Sequence, residues 1–229
     1  MKLLAIDTAT EACSAALYID GEISSEYELA PRQHTQLILP MVDRLLADAG
    51  LLVNQLDALS FARGPGAFTG VRIAAGVIQG LSYAADIPVV PVSTLAAMAA
   101  GIFQQYGHRD VLTAIDARMG EVYWAAYHLD HDVIDLLGQE LVSSIDNLPA
   151  CDARKWVGAG TGWTEYKAQL AHKYGVDEAD IYSDYLPTAE SVVRLAALDF
   201  QLGKQMSAHQ AQPVYLRDNV AKKKQIPSR

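Results

Sequence analysis

The segment Leu3-Leu4-Ala5-Ile6-Asp7 decides the fold, because the chain returns to its theme. Val111-Leu112-Thr113-Ala114-Ile115-Asp116 is again an apolar strand that ends at an acid. Reading outward from the first copy, Cys13 to Ile19 is a second strand candidate. Asp20-Gly21 is a hairpin signal, and Glu22 to Leu29 is a third strand. The period then changes. Ile38, Met41, Val42, Leu45, Leu46 and Ala49 share one face of an amphipathic helix. Gly50 is its stop, and Pro40 belongs in its first turn or at a kink. Ala58 to Ala62 is a strand that runs into Gly64-Pro65-Gly66-Ala67-Phe68-Thr69-Gly70. A helix over Val71 to Ala85, a strand over Val89 to Val92 and a helix over Thr94 to Ala100 follow.

After the second copy comes a strand over Glu121 to His128, then a turn at Asp130-His131-Asp132. A third strand lies within Val133 to Val142. Trp156 to Gly162 is a strand into a glycine loop, and Glu190 to Leu202 is a helix whose apolar stripe is interrupted by Asp199. Meander, strand-end acid, then helices, twice, predicts an α/β protein of two related lobes. The first is residues 1–103, joined by the returning segment 210–229. The second is residues 104–209. No repeat is visible residue by residue.

Length and composition agree with a folded α/β chain. The 229 residues are 51% hydrophobic and 20% charged, with 16 Gly and 9 Pro. That excludes wholesale disorder, collagen-like repeats and a small disulfide scaffold. Two cysteines, Cys13 and Cys151, form no framework, so a reduced cytoplasmic setting is expected. Ile87 to Gly107 is free of charge, but Pro88 and Pro91 break it as a membrane span. The 18 Lys and Arg face 27 Asp and Glu, a net charge of −9. Five basic residues (Arg217, Lys222, Lys223, Lys224, Arg229) against Asp218 give the last thirteen residues +4, which leaves −13 on the body. An acidic body argues against autonomous nucleic-acid binding; the basic tail reads as a solvated terminus or a point of RNA contact.

The motifs divide between chemistry and packing. Asp7-Thr8 after a buried strand is either an ordinary capped turn or the acid of a phosphate-binding turn. The second choice needs glycine for backbone approach, and this turn has none. Asp116-Ala117-Arg118-Met119-Gly120 carries side chains at the matching point. Gly64 to Gly70 has neither Walker nor GxGxxG spacing, so a tight strand-to-helix turn is favoured. Gly76 and Gly80 form a small-xxx-small pair, for internal packing or for a partner helix. The histidines show no ligand spacing, and no Gly-x-Ser-x-Gly elbow exists.

Three runs carry a family resemblance. Leu4-Ala5-Ile6-Asp7-Thr8-Ala9-Thr10, Ala62-Arg63-Gly64-Pro65-Gly66-Ala67-Phe68-Thr69-Gly70-Val71-Arg72 and Ile115-Asp116-Ala117-Arg118-Met119-Gly120-Glu121-Val122-Tyr123 resemble the bacterial TsaB family, as does Pro213-Val214-Tyr215-Leu216-Arg217. The resemblance implies a two-lobed actin/hexokinase-like (ASKHA, ribonuclease H-like) fold with duplicated lobes. It implies a non-catalytic scaffold and activator of a paralogue, TsaD, which places threonylcarbamoyl on tRNA adenosine. TsaD carries a His-x-x-x-His metal pair, and the matching positions here are Thr94 and Met98. No metal, no catalytic residue and no cofactor of its own is then expected, with Asp7, Thr8 and Arg118 as the only candidates for nucleotide contact. ATP or ADP and threonylcarbamoyl-AMP would be used by the complex, together with the ATPase TsaE. The resemblance places the partner interface on Ile38, Met41, Leu45, Ala74, Gly76 and Gly80, used for TsaD or for a homodimer. It brings tRNA in only through the complex, and involves no membrane. The rival readings are a stand-alone ASKHA-type ATPase or kinase, and a metallopeptidase of the old glycoprotease class.

Overall fold

The computed structural model describes residues 1–130 and 133–217. The basic residues Lys222, Lys223, Lys224 and Arg229, and part of the Asp130-His131-Asp132 turn, lie outside the described residues.

The strands are β1 (Lys2–Asp7), β2 (Ala12–Ile19), β3 (Glu22–Leu29), β4 (Ala58–Ala62), β5 (Val89–Val92), β6 (Asp110–Asp116), β7 (Glu121–Asp130), β8 (Val133–Leu136), β9 (Leu141–Ser144), β10 (Val157–Ala159) and β11 (Ile181–Tyr182). The helices are α1 (His34–Asp48), α2 (Phe68–Ala85), α3 (Thr94–Tyr106), α4 (Thr161–Glu165), α5 (Lys167–Tyr174) and α6 (Ala189–Gln201). One sheet runs β3-β2-β1-β4-β5. The other runs β11-β10-β6-β7-β8, with β9 also on β7. In the first sheet β1 is antiparallel to β2 and parallel to β4. In the second, β6 is antiparallel to β7 and parallel to β10. The two sheets therefore share strand order and direction around β1 and β6.

The apolar runs of β1 and β6 are continuous because both faces of each strand are covered. Leu3 and Ala5 of β1 face a core that also holds Val111 and Ile115 of β6. Leu4 and Ile6 face the opposite way, onto Ile38, Met41 and Leu45 of α1 and Ala74 and Ile78 of α2. Leu112 and Ala114 of β6 face Trp163 and Leu170 on the outside of the second sheet. The middle layer is α3 and α6, both set between the sheets. The stretch Thr94 to Ile102 of α3 is buried on every side, as expected of a helix segment that is apolar all round.

Several details differ from the expectation. Helix α1 begins at His34, so Pro40 sits inside it, in the second turn. Pro40 is exposed, so the carbonyl it leaves without a donor can turn to water. The third strand of the second meander is two short strands, β8 and β9. No periodic signal marks α4, α5 or β11, which are too short to show one. Helix α6 comes from the second stretch but packs across the first sheet, and the Ala189 N–H donates to Ser14 Oγ of β2 at 2.9 Å. Its Asp199 pairs with Lys204 at 2.6 Å. Met206 pairs with Val89 at the edge of the first sheet, and the Val214 N–H donates to the Arg63 carbonyl at 2.8 Å. No described helix is long and apolar enough to cross a membrane.

Candidate functional site

The turns that follow the two strand-end acids open onto one cleft of about 910 Å³, lined from the first sheet by Ala9, Gly66 and Arg72 and from the second by Asp116 and Arg118. Asp7 is 1% exposed. Its Oδ1 accepts the Ala9 N–H at 2.7 Å, while Oδ2 has no partner among the described residues. Burial pushes its carboxyl up to about 7, against the pull of the Ala9 N–H. The Thr8 hydroxyl donates to the Gly70 carbonyl at 2.7 Å. Across the cleft, Asp116 Oδ1 accepts the Arg118 N–H at 2.8 Å, and Oδ2 pairs with Arg118 Nη1 at 2.9 Å. Arg118 and Met119 both take left-handed backbone, at φ 63 and 60. The Arg118 side chain is otherwise exposed, where such a pair adds little stability.

The bonding at the two turns separates a capped turn from a phosphate cradle. A cradle needs free backbone N–H groups. Here the N–H groups two residues after each acid are bonded to the acids themselves. Thr8 is likewise committed to α2. The residues do not fit an independent nucleotide-phosphate site.

The glycines of the Gly64 to Gly70 segment have a packing role. A Cβ on Gly70 would overlap the Thr8 carbonyl oxygen, and one on Gly66 would overlap the Ala9 oxygen. The Ala67 N–H donates to the Ala9 carbonyl at 2.7 Å. The start of α2 is thus laid directly on the Asp7 turn. Arg72, for which the motifs suggest no role, stacks 3.2 Å from the Phe68 ring centre and 4.7 Å from that of Tyr215. The i, i+4 spacing of Phe68 and Arg72 is a local signal; Tyr215 arrives only through the return of the chain. Arg217 pairs with Glu121, so the same returning segment ties to the second sheet.

Thr94 and Met98 are fully buried. The Thr94 hydroxyl has no hydrogen-bond partner among the described residues. A Cβ on Gly160 would come 2.7 Å from the Met98 sulfur, so this side chain fills the contact between the sheets. A hydroxyl and a thioether sealed in apolar packing do not fit a hard or borderline metal. Among the described residues, no group of three or more His, Cys, Asp and Glu could hold a metal ion. His34, His108 and His128 are each engaged singly, by the Ala12 carbonyl, the Tyr182 hydroxyl and Asp110.

The residues expected at a partner interface fall on two sides of α1 and α2. Ile38, Met41, Leu45 and Ala74 are buried against the first sheet within the chain. Periodicity marks the face a helix buries, and the sheet already occupies that face. Gly76 and Gly80 point the other way. They are exposed, and a Cβ on either would meet nothing within 4 Å. Internal packing therefore does not require them to be glycine.

A family model described as "TsaD: tRNA N6-adenosine threonylcarbamoyltransferase" matches residues 26–225. The tRNA threonylcarbamoyladenosine biosynthesis protein TsaB of Escherichia coli K12 is 45% identical, over 98% of both chains. The chain belongs to the TsaB family. The TsaB protein of Haemophilus influenzae is 41% identical, over all of this chain and 98% of its own. A solved structure described as YeaZ from Pseudomonas aeruginosa, 45% identical, superposes with a TM-score of 0.88 over 94% of this chain and 99% of that one.

Proposed function

We propose that the chain is the non-catalytic scaffold and activator subunit of the complex that places threonylcarbamoyl on tRNA adenosine, acting by binding TsaD. The observation that carries this reading is the burial of Thr94 and Met98 at the positions that would hold a metal pair, in a chain of the TsaB family. The two sheets are read as duplicated lobes of an actin/hexokinase-like, ribonuclease H-like fold, an assignment supported by their common strand order. Residues 1–103 with the returning segment form one lobe and 104–209 the other, with α3 and α6 as a shared middle layer. ATP or ADP, threonylcarbamoyl-AMP and TsaE belong to the assembled complex, and tRNA is met only through it, in the cytoplasm. The bonded N–H groups at both acid turns weigh against a stand-alone ATPase.

Reconstitution of tRNA modification with every component except this chain is expected to yield no threonylcarbamoyladenosine, and its addition to restore the product. Full modification in its absence would contradict the proposal. The exposed small-residue stripe of α2 is the proposed helix-contact face, for TsaD or for a second copy. Gly76→Trp and Gly80→Trp are expected to leave the fold intact, because the space is open. They should weaken association by about tenfold or more, since bulk keeps two helix backbones apart. Sedimentation with TsaD and of the chain alone measures both cases. Unchanged association by folded variants would move the interface off this stripe.

A further inference from the structure

The chain returns along the cleft as residues 213–217, which belong to no helix or strand. Val214, Tyr215, Leu216 and Arg217 form one wall of the cleft. Among the described residues, three specific ties hold this wall. The Val214 N–H donates to the Arg63 carbonyl at 2.8 Å. The Tyr215 ring lies 4.7 Å from the Arg72 guanidinium of α2. Arg217 pairs with Glu121, the first residue of β7. Two ties are on the first-sheet side and one is on the second, so the segment bridges the cleft.

These ties are slight beside the anchor that precedes them. Ala211 is fully buried, and its carbonyl accepts from Gln79 Nε2 at 2.9 Å. No residue from 213 to 217 is buried. The Arg217 and Glu121 side chains are 20% and 38% exposed. A pair so open to water adds little stability and is screened by salt. A segment with few contacts of this kind opens locally well below the cost of global unfolding. The segment nevertheless covers something. Val71, in the first turn of α2, lines the cleft yet is only 2% exposed. The Val214 carbonyl and the Val71 side chain close on one spot beside Gly64, where a Cβ would come 3.0 Å from the first and 3.5 Å from the second.

We propose that residues 213–217 are a strap that gates the cleft, hinged after Ala211 and released when the Arg217–Glu121 pair parts. Closed, the strap spans the two sheets and seals Val71. Open, it widens the cleft beside α2 and takes one of the two rings off Arg72. The gate stands apart from the contact with TsaD.

Thiol labelling of Val71→Cys in the full chain, with the labelled site read by mass spectrometry, tests it. When the strap opens and closes faster than the reagent reacts, labelling follows the open population. Arg217→Gln should raise the rate about threefold, the scale of a partly exposed ion pair. Arg217→Glu combined with Glu121→Arg should restore the slower rate. Should Val71→Cys fail to fold, hydrogen exchange in the unaltered chain reads the same opening. Raising NaCl from about 0.05 M to about 0.5 M should speed the Val214 amide about twofold or more. The Ala67 amide, bonded to the Ala9 carbonyl on the floor of the same region, should not change. A labelling rate that Arg217→Gln leaves unchanged, or that the reversed pair leaves raised, overturns the proposal. So does Val214 exchange that salt does not move.

Discussion

Asp7→Asn flattens the pH dependence of folding stability and makes the protein more stable at pH 8 than the parent. The parent carboxyl is raised from 3.8 to about 7 in the folded chain, with burial as the main cause. A raised folded value means that the folded state holds its proton where the unfolded state has lost it. Stability from this group is then complete below about pH 4 and is lost as the pH climbs to about 7. Each pH unit between those two values removes about 1.4 kcal/mol, so the loss approaches about 4 kcal/mol. Asn keeps the acceptor for the Ala9 N–H and carries no charge. Its amide nitrogen inherits the unpartnered place of Oδ2, which returns about 1–3 kcal/mol of the gain. Denaturant unfolding of both proteins at pH 4.5 and pH 8 measures the change. The penalty on the Asn amide holds at every pH, so the curves should cross: the parent is the more stable by about 1 kcal/mol at pH 4.5 and the variant by about 2 kcal/mol at pH 8. Parallel curves would show that Asp7 is ionised in the folded chain at no cost.

The second large effect comes from one helix with glycines of opposite kinds. Gly70→Ala should destabilise by about 3 kcal/mol or more, because its Cβ falls on the Thr8 carbonyl oxygen and neither backbone has room to retreat. The Thr8 to Gly70 hydrogen bond would be lost with it. Gly76→Ala, further along the same helix, should stabilise by about 0.5–1 kcal/mol. Its Cβ meets nothing, and alanine gives up less chain entropy in a helix. Thermal unfolding of the two variants beside the parent checks both signs. Two shifts in the same direction would show that the contact between α2 and the Asp7 turn is not as close as described.

The contrast between Gly70 and Gly76 shows what a sequence can carry. Gly70 ends the turn motif and Gly76 belongs to a small-residue pair further on, yet neither pattern says which of them can take a Cβ. The role of each depends on what lies opposite: a turn from residues 8 and 9 in one case, solvent in the other. The same limit explains the interface residues. Ile38, Met41 and Leu45 are legible as one helical face, since period is a local property. Whether that face meets a sheet of its own chain or a partner is not legible, and the sheet takes it. Arg118 is visible as a side chain where a phosphate turn wants glycine, but its bond to Asp116 comes from left-handed backbone that no pattern announces. Arg63 stands inside a family motif without a role, because Glu140 reaches it from a distant hairpin.

Hydrophobic period and short specific motifs act over a few residues. They suffice for the α/β class, the two strands that end in acids, the helices α1 and α2, and the resemblance to the TsaB family. The placement of α6, from the second half of the chain, over the first sheet had to come from the packed molecule. So did the bonds that tie the turn N–H groups to Asp7 and Asp116. The sealed packing of Thr94 and Met98, and the ties of residues 213–217 across the cleft, are of the same kind. Those outcomes depend on which faces meet and on what space remains between them, and chain-distant contacts leave no period in the sequence.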